Sequence, residues 1–188
     1  YGNMLRVGDC PGDIFANRSQ IINLRMTSGE TAVHSDMIMW SEKDSVENAA
    51  LQFANVIFSV PQISMLIKDL PEEHIEMLKF YINFWKEYRY VLLNGKITAK
   101  NPENDYSQAT ATLDNTSVVA IYTNNVVDAQ KGTTIVVNAG SFASVIVKNA
   151  VNKRYVIKNC KGEILGRGEV RDSLKEFPIT KAGILIIE

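Results

Sequence analysis

The sequence predicts two regions of different class, an α/β half followed by an all-β half. Three observations carry this prediction. Up to about residue 95, apolar residues alternate between short extended runs and helix-spaced stretches. From about residue 106, short runs rich in Val, Ile, Thr and Tyr alternate with turn residues. Between the two, residues 94–105 gather Gly, Asn and Pro, which marks a boundary.

Taken in order, residues 4–9 read as a first strand that stops on Asp9. Asp13 sits where a helix N-cap belongs, and residues 13–26 carry Ile14, Phe15, Ile21, Ile22 and Met26 roughly on one side. Residues 31–40 read as a second strand, with Ala32, Val33, Met37, Ile38 and Met39. Residues 45–60 are apolar nearly all round, the pattern of a deeply buried helix. A short third strand is expected over 60–65. A helix then opens with Asp69 as N-cap, Pro71 in the first turn and Glu72 at the capping-box position. Ile75, Leu78, Ile82 and Trp85 keep helical spacing, and Gly95 closes it. In the second half, strands are expected over 109–113, 118–123, 134–137, 144–148, 155–158, 164–170 and 183–187, with a hairpin turn at Asn159-Cys160-Lys161-Gly162. Several short strands with close turns predict a β-sandwich or small barrel.

Composition bounds the function classes. The 188 residues are 46% hydrophobic and 22% charged, the balance of a soluble globular protein. A net charge of −1 supplies no bulk field for nucleic acid or an anionic membrane, so neither is expected as a partner. No apolar run reaches the roughly 18 residues that span a bilayer. No signal peptide is visible, and the compartment stays open between cytoplasmic and periplasmic or secreted. Cys10 and Cys160 lie far apart with no metal-finger spacing, so two free packing thiols are expected, with no metal and no cofactor.

The chemistry-bearing residues sit at strand ends. A carboxylate at the C-terminal end of a parallel strand, as Asp9 would be, is placed for acid/base work, although an Asp at a strand-to-helix turn is more often a cap. Arg6 is three residues away. A regular strand would put the two on opposite faces, so for both to face one ligand the backbone must kink or bulge near Val7-Gly8. His34-Ser35-Asp36 lacks a nucleophile elbow and a third histidine, which argues against a triad or a metal site. Trp40 is a candidate sugar platform and equally a core residue. Trp85, Tyr88 and Tyr90 read as core packing.

Three segments, Arg6-Val7-Gly8-Asp9-Cys10, Val33-His34-Ser35-Asp36-Met37 and Val60-Pro61-Gln62-Ile63-Ser64, together resemble the melibiase-type α-galactosidases, the glycoside hydrolases of family 36 with the related family 27. The resemblance covers essentially the whole chain. It implies the last three βα units of a TIM (β/α)8 barrel over residues 1–100, followed by a C-terminal antiparallel β-sandwich domain over 101–188. It implies a retaining hydrolase of terminal α-galactosides. Asp9 matches the acid/base, and Arg6, Asp36 and Met37 match substrate-binding positions; Trp40 joins them as a substrate-binding candidate on its aromatic chemistry alone. In such a two-carboxylate site the nucleophile's charge keeps the acid protonated until the glycosyl-enzyme forms. The nucleophile segment, a Lys-x-Asp pattern, has no counterpart here, so the chain is expected to be part of a longer chain, or a homo-oligomer, and inactive alone. The competing reading makes it a non-catalytic carbohydrate-binding or assembly module, with the α/β part as scaffold.

Overall fold

The computed structural model describes residues 2–188. Three short strands, β1 (Met4–Arg6), β2 (Ala32–Ile38) and β3 (Val60–Ile63), form a parallel sheet in the order β1-β2-β3. Three helices alternate with them: α1 (Ile14–Thr27), α2 (Val46–Asn55) and α3 (Glu72–Asn94). Local chemistry starts the first two. The Asp13 carboxylate accepts from the Phe15 and Ala16 amides, and the Ser45 side chain accepts from Asn48. Asp69 does not cap α3. It lies in a 3-10 turn, Ile67–Asp69, and Pro71 precedes the helix without a side-chain cap.

Ten further strands follow: β4 (Lys96–Lys100), β5 (Gln108–Leu113), β6 (Thr116–Ile121), β7 (Val126–Asp128), β8 (Thr133–Asn138), β9 (Ser144–Lys148), β10 (Arg154–Lys158), β11 (Ile164–Glu169), β12 (Leu174–Pro178) and β13 (Ile184–Ile187). They form a seven-stranded sheet, β11-β10-β13-β8-β6-β5-β4, and a three-stranded sheet, β12-β9-β7.

The expected fold class is overturned. The three parallel strands stay an open sheet, and no barrel closes among the described residues. Closing one takes about eight strands. With thirteen strands against three α-helices among the described residues, the molecule is mainly β, not a TIM-barrel remnant carrying a sandwich. Nor is the second half purely antiparallel. β6 pairs β8 in parallel and β7 pairs β9 in parallel, because each intervening strand crosses to the opposite sheet. The boundary also differs: the Gly- and Asn-rich stretch contains β4, which pairs with β5 and forms the edge of the large sheet.

The large sheet is the middle layer. Ala109, Ala111, Val118, Ala120, Ile135 and Val137 face the helical side and join one core with Phe53, Ile57, Met77 and Tyr81. Their strand neighbours Val119, Ile121, Val136 and Leu185 face the small sheet and join a second core with Val127, Val147 and Phe177. The period of two puts successive residues of one strand into different interiors. Tyr81 Oη donates to Ala182 O at 2.6 Å and Trp85 Nε1 to Ser59 O at 2.9 Å, so α3 is tied to the loops on either side of it.

Helix α1 buries a different face from the one its apolar residues mark. Phe15 and Met26 are exposed, while Asn17, Arg18 and Arg25 are buried with Ile21 and Ile22. Each arginine is paired through its Nη atoms, while the buried Nε of both finds no partner. Arg25 Nη2 donates to Leu92 O and Gly95 O, capping the C-terminus of α3. Arg18 Nη1 donates to Asn55 Oδ1, and its guanidinium lies 4.3 Å from the Tyr122 ring centroid. Among the described residues, no helix is long and apolar enough to cross a membrane.

Candidate active site at the ends of the parallel strands

The segment after β1 is tied down by its own backbone. Val7 N donates to His34 O at 3.2 Å, Gly8 N to Gln20 Oε1 at 2.6 Å, Cys10 N to Asp36 Oδ2 at 2.5 Å and Gly12 N to Met37 O at 3.4 Å. A Cβ on Gly8 would come within 3.0 Å of Gln20 Oε1, so the glycine gives that carbonyl its approach. The loop is therefore held against β2 and α1. Asp9 projects from it, its side chain 89% exposed.

Arg6 joins two carboxylates. Its Nη2 donates to Asp36 Oδ1 at 2.5 Å and its Nη1 lies 3.5 Å from Asp9 Oδ1. Arg6 and Asp9 come together where the chain leaves regular strand geometry at Val7-Gly8. β1 ends at Arg6 and the chain leaves the sheet. The register irregularity is in the neighbouring strand, where the β2–β3 register slips between His34 and Met37. Ser35 and Asp36 are both fully buried there, which regular alternation does not allow when one face is open. The slip is held by Ser35 Oγ, which accepts from Gln62 N at 2.9 Å. Bulges commonly re-aim side chains beside ligand sites.

Asp36 is a buried charge that is fully paired. Burial pushes its carboxyl upward, but the Cys10 and Met37 amides, the Arg6 guanidinium and the nearby His34 outweigh it, and hold the group below the usual carboxylate range. Asn17 clasps its backbone, accepting from Asp36 N at 3.3 Å and donating to Asp36 O at 3.4 Å. Arg6 pairs in register with His34, so both side chains leave the same face of the sheet. His34 Nδ1 lies 2.7 Å from Ser35 O. Met37 is half-buried. Trp40 is 8% exposed, and its indole N–H donates to His74 Nδ1 at 3.2 Å. Because Nδ1 accepts, the His74 proton is on Nε2, which faces Asp44 O at 3.1 Å.

The structure thus brings Arg6, Asp9 and Asp36 into one cluster and sets Trp40 into the core beside it. Sequence reading missed Asn17 and Gln20, which hold Asp36 and the Asp9 loop from α1. Two amide side chains three apart, near the capped start of a helix that follows the strand, are the signal that points to them. The Cys10 thiol donates to Gly8 O at 3.2 Å; burial raises its pKa, the carboxylates of Asp36, Asp13 and Asp9 raise it further, and Arg6 only partly opposes them. Among the described residues, no group of three or more His, Cys, Asp or Glu side chains is placed to hold a metal ion.

No protein-family model matches the chain. No curated protein matches it either. Among solved structures the chain is similar to CelM2, a bifunctional glucanase-xylanase protein from a metagenome library, at 12% identity and a TM-score of 0.37. The likeness covers 100% of this chain and 41% of that one. At that level the likeness carries no argument about activity, and the functional reading rests on the residues of this chain.

Proposed function

We propose that this chain is the C-terminal part of a retaining α-galactosidase-like glycoside hydrolase and supplies the acid/base half of a two-carboxylate site. The observation that carries the reading is the Arg6 guanidinium held between the exposed Asp9 and the buried Asp36 at the C-terminal ends of adjacent parallel strands. That end of a parallel sheet is where α/β proteins bind ligands. In this reading Asp9 protonates the departing glycosidic oxygen and then, as a carboxylate, takes the proton from the attacking water. Arg6, with its side chain 45% exposed, keeps donors free for sugar hydroxyls. Asp36 acts through Arg6 and the Cys10 amide, fixing the guanidinium and the Asp9 loop. Met37 and Trp40 back the sugar site with apolar surface. The nucleophile comes from outside these residues, so the 188-residue chain alone should not turn over glycosides.

The test is Asp9→Ala in the polypeptide that carries the nucleophile. Turnover of an α-galactoside with a poor leaving group should fall by roughly 10²–10⁴-fold, the usual worth of a general acid. An activated aryl α-galactoside should lose less, and azide should restore part of its rate. Unchanged turnover on both substrates overturns the assignment.

A further inference from the structure

The small sheet is too narrow to cover the large one, and the uncovered end is a cleft. It measures about 600 Å³ and lies between β10–β11 of the large sheet and β12 of the small sheet. Phe142, Tyr155, Ile157 and Phe177 form its apolar walls, and Lys175 and Lys181 are its charged side chains; no Asp or Glu lines it. The opposing strand makes the space. β11 carries Gly166 and Gly168 in register with Ile157 and Tyr155, so no side chain rises from β11 at those two positions. The Tyr155 ring lies over Gly168, whose Cβ would come within 3.1 Å of it.

Lys175 breaks the pattern of its strand. Phe177 is fully buried in the core between the large and small sheets, and Lys175, two residues earlier, shares its face. Leu174, next to it, points outward and is 57% exposed. The strand thus turns an ammonium inward and an isobutyl group outward. The Lys175 ammonium lies 4.6 Å from the Tyr155 ring centroid and 5.2 Å from that of Phe177. Among the described residues it makes no ion pair. Lys181 donates to the neutral side chain of Asn48. An inward lysine on an edge strand also discourages strand addition, but that purpose needs no cavity beside it.

We propose that this cleft binds a small amphipathic monoanion, an alkyl or aryl carboxylate. Its apolar body would lie against Phe142, Ile157 and Phe177, and its carboxylate would pair with Lys175. The charge of the lining selects the ligand: the Lys175 ammonium over the Tyr155 and Phe177 rings, with no acid in the lining and Lys181 turned to Asn48, repels a cation and leaves an anion unopposed. The apolar walls select against a sugar, which needs a ring of hydrogen-bonding side chains where this lining offers only Ser141 and Thr180 besides Tyr155 and the lysines. Binding there is independent of the strand-end cluster.

The experiment is a titration of the 188-residue chain with decanoate, followed by amide chemical shifts, with octan-1-ol and methyl α-galactoside as comparison probes. Decanoate should saturate, with shifts confined to the residues around the cleft, and octan-1-ol should bind at least tenfold more weakly. Lys175→Gln should weaken decanoate at least tenfold. Gly166→Val should abolish binding while the chain stays folded: a Cβ at Gly166 meets only Ile157 Cδ1, at 3.7 Å, and the backbone φ is not positive. Equal binding of decanoate and octan-1-ol overturns the proposal, as does decanoate binding that survives Gly166→Val. Saturation of the same amides by methyl α-galactoside overturns it in favour of a sugar site.

Discussion

Arg6 Nη2 donates to Asp36 Oδ1 at 2.5 Å, joining a guanidinium that is 45% exposed to a carboxylate that is fully buried. One end of the pair is in water and the other is in the protein interior. The buried end is held by Arg6 and by backbone amides, Cys10 N among them, so the half-exposed cation is anchored without being used up.

Replacing that anchor should cost stability in a pH-dependent way. Asp36→Asn should destabilise the chain near neutral pH by about 1–3 kcal/mol, discounted for the solvent around Arg6. The folded-state carboxyl lies below its unfolded value, so its contribution is complete above the unfolded value of about 3.9 and is lost as pH falls through the folded one. Urea unfolding of both proteins at neutral and acidic pH should show the gap narrowing below about pH 4. A gap that widens on acidification would contradict the pairing.

Arg25 is expected to matter more than any apolar residue of α1's exposed side. It is 5% exposed and donates to Leu92 O and Gly95 O at 3.1 and 3.2 Å. Arg25→Met removes both bonds and leaves two helix-end carbonyls bare, at about 2–4 kcal/mol. Met26→Ala, on the exposed side, should change stability by no more than about 0.5 kcal/mol. Denaturant midpoints of the two variants give the comparison.

Gly162 is required by both its backbone and its neighbour. Its φ is +87°, and a Cβ there would sit 2.5 Å from Phe80 Cδ2. Gly162→Ala should cost about 1–3 kcal/mol, through strain in the β10–β11 turn and displacement of the Phe80 ring. Calorimetry should show a lower melting temperature with the transition still cooperative. A neutral result would mean that the turn relaxes freely.

Both thiols should resist alkylation in the native state. Burial pushes Cys160 up to about 11, and Cys10 is raised by burial and by three carboxylates. Little thiolate is present at neutral pH. Iodoacetamide labelling followed by intact mass should show both cysteines protected until denaturant is added. Rapid native labelling of Cys10 would show that the Asp9 loop opens.

What was legible in the sequence was local. Asp13 caps α1 because a carboxylate beside the free amides of a helix start needs no distant partner. The strands β9 and β10 stand out because β-branched residues fill them. What was hidden depended on partners far along the chain. The bulge at Ser35–Asp36 is fixed by Gln62 and Cys10, which no spacing rule connects. The buried face of α1 is polar because Arg18 and Arg25 reach Asn55 and the end of α3. β4 sits in a stretch rich in turn residues, and β12 reads poorly as a strand because its lysine points in and its leucine out. The barrel expectation failed at a larger scale: three parallel strands fix no sheet size, and the seven-stranded sheet took the helices instead.

Val118 and Val119 are adjacent in β6 but belong to different cores. A slip of one residue in β6 would move every side chain to the other face. In a sheet with one wet face, such an error is sensed once, by the core it empties. Here it would be sensed twice, since Val118 and Ala120 of the helical side and Val119 and Ile121 of the small-sheet side would have to trade places. The middle layer is therefore self-checking: a misaligned strand fits neither interior, and only the native register satisfies both at the same time.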